Sequence, residues 1–381
     1  MIRVAAVDDE MHATVTIPVS TGVDTVVGQL NGQMVKNMEG KQATIEIKTE
    51  SASYTLPAQQ INIDAVSEKL GQSVKLSDIT VSVKIAEPSD QTATIVKNAG
   101  KTGTFSVVAP PVNFSIDCTY KGKTVDVSSF NTYVERTVAI PSGVDASKIT
   151  TGIVVNADGT TRHVPTKIMV IDGKYYAKIN SLTNSTYAVV YHPIEFEDVS
   201  NHWAKDAIDN MGSRMVISGV GDNNYEPERD ITRAEFAAII VRALGLEPGT
   251  GETTFSDVKS TDWYCGYVET AASYGIISGY TNGTFGSNDK ITREQAMAMI
   301  ARAMTITGLN SNLTDGEMST LLASYSDTKD ASSYAMNAIA ACLKTGVVSG
   351  RTSSTVAPKE TITRAEVAAI VERLLQKSNL I

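Results

Sequence analysis

The second half of this sequence states one pattern three times, and a repeat constrains architecture more tightly than any local periodicity. "DITRAEFAAII" begins at Asp230, "KITREQAMAMI" at Lys290 and "TITRAEVAAIV" at Thr361. Upstream of each stand an aspartate, an aromatic residue and a glycine that follows a serine. These are Asp198, Trp203 and Gly219, then Asp257, Trp263 and Gly279, then Asp327, Tyr334 and Gly350. From each aspartate to the arginine of its closing motif the spacing is 233−198 = 35, 293−257 = 36 and 364−327 = 37. So steady a spacing across differing local sequences means one structural unit used three times.

Each unit reads as helix, loop, helix. In the first copy Phe236, Ile239, Ile240, Ala243 and Leu244 recur at the helical period and form an apolar stripe. One unit is too small to bury that stripe alone, so the copies are expected to pack together as an all-α bundle with approximate threefold symmetry. The copies span 195–250, 251–310 and 311–381, and an insert at 310–324, "NSNLTDGEMSTLLAS" in its core, is expected to hold a short helix of its own.

The closing motif separates into two parts. Thr232 with Glu235, Thr292 with Gln295, and Thr363 with Glu366 fit a capping box. In that arrangement the threonine hydroxyl accepts from the third helical N–H and the Glu or Gln side chain accepts from the threonine N–H. Arg233, Arg293 and Arg364 gain nothing from it, because a cation at a helix start faces the positive end of the macrodipole, a mismatch of about 0.3–1 kcal/mol. Two readings stay open: a structural pairing with a carboxylate such as Asp230 or Asp257, or an anion site made with the free N–H groups of the helix start. Guanidinium suits the second, since it grips a carboxylate or phosphate through two parallel bonds. Aromatic residues and acids at equivalent positions beside the arginines favour a carbohydrate site, with sugar C–H groups on the ring and hydroxyls on the acid. The glycines allow close backbone approach, although a plain turn also accounts for them.

At these residues the chain resembles the S-layer homology domain family, whose modules hold proteins non-covalently to Gram-positive cell walls. "FEDVSNHWAKDAI", "VISGVG" and "ITRAEFAAIIVRAL" match the family's opening, central loop and closing helix, and the resemblance covers Phe196 to about Leu375. It implies a three-pronged pseudo-trimer whose inter-repeat grooves bind secondary cell-wall polysaccharide, commonly through a terminal pyruvate-ketal N-acetylmannosamine. By motif match Arg233, Arg293 and Arg364 would grip the ketal carboxylate. Asp198, Asp257, Asp327, Trp203, Trp263, Tyr334, Gly219, Gly279 and Gly350 would line the grooves. Two departures stand out: Glu294-Gln295 replaces Ala-Glu in the second copy, and tyrosine replaces tryptophan in the third. They argue against three equal grooves.

The first half differs in character. Residues 110–194 carry β-branched runs broken by Asp158-Gly159 and Asp172-Gly173, with a third turn at Lys121-Gly122, and read as a β-sandwich-like domain. Residues 1–109 read as a small α+β domain ending at a Pro110-Pro111 linker. Within it, "VDTVVGQLNGQMVKNM" fits one helical face, "KQATIEIK" and "DITVSVKIAE" alternate as strands, and "DAVSEKLG" is a short helix stopped by Gly71. The expected fold is therefore multidomain: α+β, then β-sandwich-like, then the helical repeats.

Composition narrows the function. A net charge of −9 argues against nucleic acid as a partner, and no apolar run is long enough to insert in a membrane. The start, "MIRVAAVDDE", lacks a leader's apolar core, so an extracellular, wall-associated site implies a leader removed or outside this stretch. Cys118, Cys265 and Cys342 show no metal-site or disulfide spacing and read as buried apolar side chains. "GDNNYEPERD" lacks the residue order of a calcium loop. No metal, cofactor or catalytic motif is expected, and the chain reads as a binding module and not an enzyme. Two alternatives remain: a lattice-forming S-layer protein that self-associates, or a fragment of a cell-bound polysaccharide-degrading enzyme.

Overall fold

The computed structural model describes residues 2–3, 11–20, 22–71 and 74–381, and the chain divides into two units, Met1–His192 and Pro193–Ile381. Of the opening stretch read for a leader, all but the strand Ile2–Arg3 lies outside the described residues. No helix among the described residues is long and apolar enough to cross a membrane.

The first unit holds two sheets. The eight-stranded sheet runs Ile2–Arg3, Thr25–Asn31, Thr80–Ala86, Ser106–Tyr120, Thr186–Tyr191, Thr151–Val155, Thr161–Val164, with Lys123–Asp126 paired to the end of Ser106–Tyr120. The six-stranded sheet runs Thr166–Ile171, Lys174–Thr183, Ser129–Ala139, Ala52–Pro57, Thr44–Lys48, Thr14–Pro18. Their inner faces share one core, in which Ile45, Tyr54, Val83, Phe114, Val134 and Tyr187 are all buried.

This arrangement corrects the boundary expected at residue 109. Strands from both sides of it share each sheet: Thr80–Ala86 pairs with Ser106–Tyr120, and Ala52–Pro57 pairs with Ser129–Ala139. Pro110-Pro111 is no linker but lies inside the long strand Ser106–Tyr120. Across from it, Tyr187 pairs with Val112 and Val189 with Ala109, so the register shifts where the prolines sit. A bulge is where a sheet tolerates proline, which has no N–H to give to the ladder.

The expected helix over "VDTVVGQLNGQMVKNM" is half strand. Thr25–Asn31 is extended, with Val26 and Leu30 buried at even spacing, and only α1 (Gly32–Gly40) is helical. Asn31 marks the switch, its side chain accepting from the Met34 N–H at 2.8 Å. The strands Thr44–Lys48 and Thr80–Ala86 and the helix α2 (Ile63–Leu70) occur where the patterns put them, and α3 (Asp90–Thr102) follows. Two turns are two-residue hairpins with positive φ at both positions, Lys121-Gly122 and Asp172-Gly173. Arg136 is wholly buried among Tyr54, Phe114, Phe130 and Tyr187, and donates to the carbonyls of Val134 and Thr183 and to the Asn184 side chain.

The second unit is helical. The first copy contributes α4 (Lys205–Ser213) and α5 (Arg233–Ala243), the second α6 (Cys265–Ser273) and α7 (Arg293–Thr307). The insert forms α8 (Asp315–Ala323), and the third copy adds α9 (Met336–Thr345) and α10 (Arg364–Lys377). Each copy's second helix packs on the next copy's first: α5 on α6, α7 on α9, and α10 back on α4. The motifs close a matching ring through their backbones. Ile231 N–H donates to the Ile362 carbonyl, Ile362 N–H to Ile291, and Ile291 N–H to Ile231, at 3.1, 3.2 and 3.2 Å. Burial follows from this: α5, α7 and α10 lose their solvent faces to neighbours, so most of their residues are buried.

Candidate functional site

The closing motifs fold as capping boxes at Thr232/Glu235, Thr292/Gln295 and Thr363/Glu366, with both reciprocal bonds formed in each. The helix starts are not open to a ligand, however. Arg233 N–H donates to the Asp289 carbonyl, Arg293 N–H to Glu360, and Arg364 N–H to Arg229, at 3.0, 2.9 and 2.9 Å. The following residue in each copy, Ala234, Glu294 or Ala365, donates to Ser287, Pro358 or Pro227. Neighbouring loops thus consume the N–H groups that an anion site would need.

The arginine side chains are committed the same way. Arg233 donates to the carbonyls of Phe285 and Ser278 in the second copy, at 2.9 and 3.2 Å. Arg293 donates to Val356 and Ser349 in the third, at 2.8 and 3.3 Å. Arg364 donates to Tyr225 and Ser218 in the first, at 2.8 Å each. Only 3–5% of each residue is exposed. The charge is held chiefly by carbonyl oxygens of the adjoining repeat, and where a carboxylate joins it the acid is Glu366 or Glu235 and not Asp230 or Asp257. Burial lowers all three guanidinium pKa values, and nearby tyrosines and acids partly offset it. Arg293 adds a 2.7 Å ion pair with Glu366, and Arg364 lies 3.6 Å from Glu235; the equivalent residue for Arg233 is the uncharged Gln295.

The aspartates act within their own copies. Asp198 accepts from the N–H groups of Tyr225 and Glu226, Asp257 from Phe285 and Gly286, and Asp327 from Val356 and Ala357, at 2.7–2.9 Å. Each carboxylate fixes the loop whose carbonyls receive an arginine. The expectation that these acids line the grooves is corrected, because they point at backbone and none borders the cavities described below.

Packing also explains the glycines. A Cβ on Gly219 would stand 2.8 Å from the Phe196 ring, one on Gly279 2.5 Å from Phe255, and one on Gly350 2.6 Å from Tyr325. These rings open the three copies, so each glycine leaves room for its own repeat's first aromatic residue.

The other aromatic residues face solvent. Trp203, Trp263 and Tyr334 are 63, 59 and 57% exposed, where apolar burial would normally have claimed them. Two of them border grooves assembled from all three copies. The larger, about 530 Å³, joins Trp203 of the first copy, Arg293 of the second, and Gly350 with α10 of the third. The smaller, about 180 Å³, joins Trp263 of the second copy, Arg364 of the third, and Gly219 with α5 of the first. Tyr334 borders a third hollow, about 420 Å³, walled by α7, α9 and the insert.

One set of groove residues went unread in the sequence. Arg242, Arg302 and Arg373 each lie nine residues after a motif arginine (242−233, 302−293 and 373−364), and each borders one of these three cavities. Nine residues is two and a half turns, which carries the side chain from the buried helix start to the groove. The constant offset was legible. In the second copy Glu294, which has alanine as its counterpart in the other two, turns to the third copy and accepts from the Ser332 N–H, the Ser332 hydroxyl and Lys359, at 2.9, 2.9 and 2.7 Å.

The S-layer homology domain family matches residues 195–237, 254–297 and 324–368. An amylopullulanase of Thermoanaerobacterium thermosulfurigenes is 30% identical over 92% of this chain, and an exoglucanase, XynX, of Acetivibrio thermocellus is 38% identical over 52%. A surface layer protein of Brevibacillus choshinensis is 34% identical over 33% of the chain. This chain spans only 17, 18 and 12% of those proteins. The helical unit of this chain is a triplet of S-layer homology domains.

Proposed function

We propose that the triplet holds its protein at the cell surface by binding an acidic secondary cell-wall polysaccharide in the grooves between repeats. The observation that carries this reading is the convergence in one groove of an exposed ring from one copy, a glycine loop from another and arginines from two copies. An exposed indole offers a flat apolar face for sugar C–H groups, and guanidinium offers a bidentate match to carboxylate. The closed ring of motif hydrogen bonds is the basis for reading the triplet as an approximate threefold arrangement. A terminal pyruvate-ketal N-acetylmannosamine supplies both the C–H face and the carboxylate that such a groove suits. The surface layer protein among the relatives favours the same placement.

The reading makes the chain a binding module, with the relatives' catalytic activities left to those proteins. Sedimentation with purified walls, before and after the secondary polymer is stripped, tests it. Binding should vanish on stripping and fall in a Trp203→Ala, Trp263→Ala double variant, whose lost rings are mostly solvent-exposed. Binding that survives both would overturn the mechanism, and turnover of wall glycans by this chain would overturn the binding-only assignment.

A further inference from the structure

The three grooves are chemically unequal, and the difference lies in the arginines nine residues beyond the motif. Arg242 stacks on Tyr267 at 4.7 Å and its Nε donates to the Tyr267 hydroxyl at 3.2 Å. Arg302 donates to the Ile276 carbonyl at 3.2 Å. Arg373, half-buried, has no hydrogen-bond or ion-pair partner among the described residues, yet it borders the larger Trp203 groove. The cause is local. Tyr267 stands four residues after Trp263, and the residue four after Trp203 is Ala207, which is too short to cover Arg373.

The other cations of that groove are engaged. Arg293 is paired with Glu366, and Arg351 with both Glu366 and Glu360. Glu228, a further acid on the groove, meets His202 at 2.7 Å. A guanidinium held partly out of water without an acceptor is poised to take one from a ligand, where a charge-assisted bond is stronger than at a fully wetted site. The cavity, about 530 Å³, is within the roughly 300–1,000 Å³ typical of small-molecule sites.

We infer that Arg373 is the residue that receives the carboxylate of an acidic saccharide, and that the Trp203 groove is the triplet's principal site. The motif arginine of that groove, Arg293, lines it as well, with its side chain engaged by the carbonyls of Val356 and Ser349 and by Glu366. This assignment rests on the wall-binding reading above and narrows it to one groove and one side chain.

The test is sedimentation of the full chain with purified walls that retain their acidic polymer, across a range of salt. Arg373→Ala should weaken binding by roughly tenfold or more, the loss expected for a hydrogen bond to a charged group. It should also flatten the salt dependence while leaving the thermal midpoint in place, because the side chain has no intramolecular partner to lose. Arg373→Lys should restore only part of the affinity, since ammonium lacks the planar fork. Arg242→Ala and Arg302→Ala should each weaken binding less than Arg373→Ala. Equal losses in all three variants, a larger loss in either of the others, or a fall in the thermal midpoint of Arg373→Ala would overturn the assignment. If the unaltered chain fails to sediment, the anchoring reading falls and this assignment with it. If the unaltered chain sediments and Arg373→Ala matches it, only the assignment falls.

Discussion

Arg364 donates through Nε to the Tyr225 carbonyl at 2.8 Å while its guanidinium lies 4.3 Å from the same residue's ring. One side chain therefore clamps both the backbone and the ring of a residue in another repeat, and the Tyr225 hydroxyl answers by donating to the Arg364 carbonyl at 3.0 Å. Replacing Arg364 by alanine leaves the carbonyls of Tyr225 and Ser218 without their donors in a buried setting. The expected cost is about 2–4 kcal/mol, from two or more unsatisfied acceptors. Urea unfolding of the helical unit should show it, and Arg364→Lys should recover little, because ammonium cannot span two carbonyls in a fixed plane. A full loss of wall binding in this variant with an unchanged unfolding midpoint would contradict the structural role.

Gly279 gives a sharper packing test. A methyl group there would stand 2.5 Å from the Phe255 ring and 2.6 Å from the Thr284 carbonyl, so ring and loop must both shift. Gly279→Ala should destabilise by about 1–3 kcal/mol, the usual range for overpacking. The same change at Gly283, whose φ is +83° but which has open space around it, should cost only the strain of a positive φ. Thermal unfolding of the two variants separates crowding from backbone strain.

What the sequence could disclose depended on whether a residue's role was local. The capping threonines and glutamates answer to neighbours three positions away, so they were readable in full. The arginines between them answer to carbonyls 45 to 146 residues distant, and no local rule reports that. The aspartates failed for the same reason: their acceptors' partners are N–H groups 27 to 30 residues on, in a loop with no motif of its own. In the first unit, proline chemistry was applied correctly but to the wrong context, since a bulge and a linker both admit Pro110-Pro111. The strand Thr25–Asn31 carries valines at adjacent positions, which satisfied a helical template by chance until Asn31 capped the helix that follows.

The substitution of Gln295 for glutamate makes a separate prediction. Glu235 and Glu366 sit beside Arg364 and Arg293, whereas Arg233 has no such carboxylate at the equivalent place. Gln295→Glu keeps the capping box and supplies the missing charge to a partly buried cation. The free energy of unfolding should rise, by up to about 1 kcal/mol. A fall in stability would mean that Tyr280, whose ring lies 4.7 Å from the Arg233 guanidinium, already takes the place of the acid.

Asp257 makes stability depend on pH in a defined direction. Burial tends to raise its pKa, but the N–H groups of Phe285 and Gly286 outweigh that and hold it below the ordinary aspartate value. With the folded value depressed, the contribution is present in full above the unfolded pKa of about 3.9 and disappears as pH falls through the folded value. Urea midpoints of the native chain should therefore drop as pH falls from about 5 through the depressed folded value, more steeply than carboxylates without such donors would produce. In Asp257→Asn one acceptor remains but the titrating charge is gone. That variant should start less stable at neutral pH and converge on the native chain in acid. Parallel curves across the whole range would show that the Asp257 charge does not stabilise the loop into which Arg233 inserts.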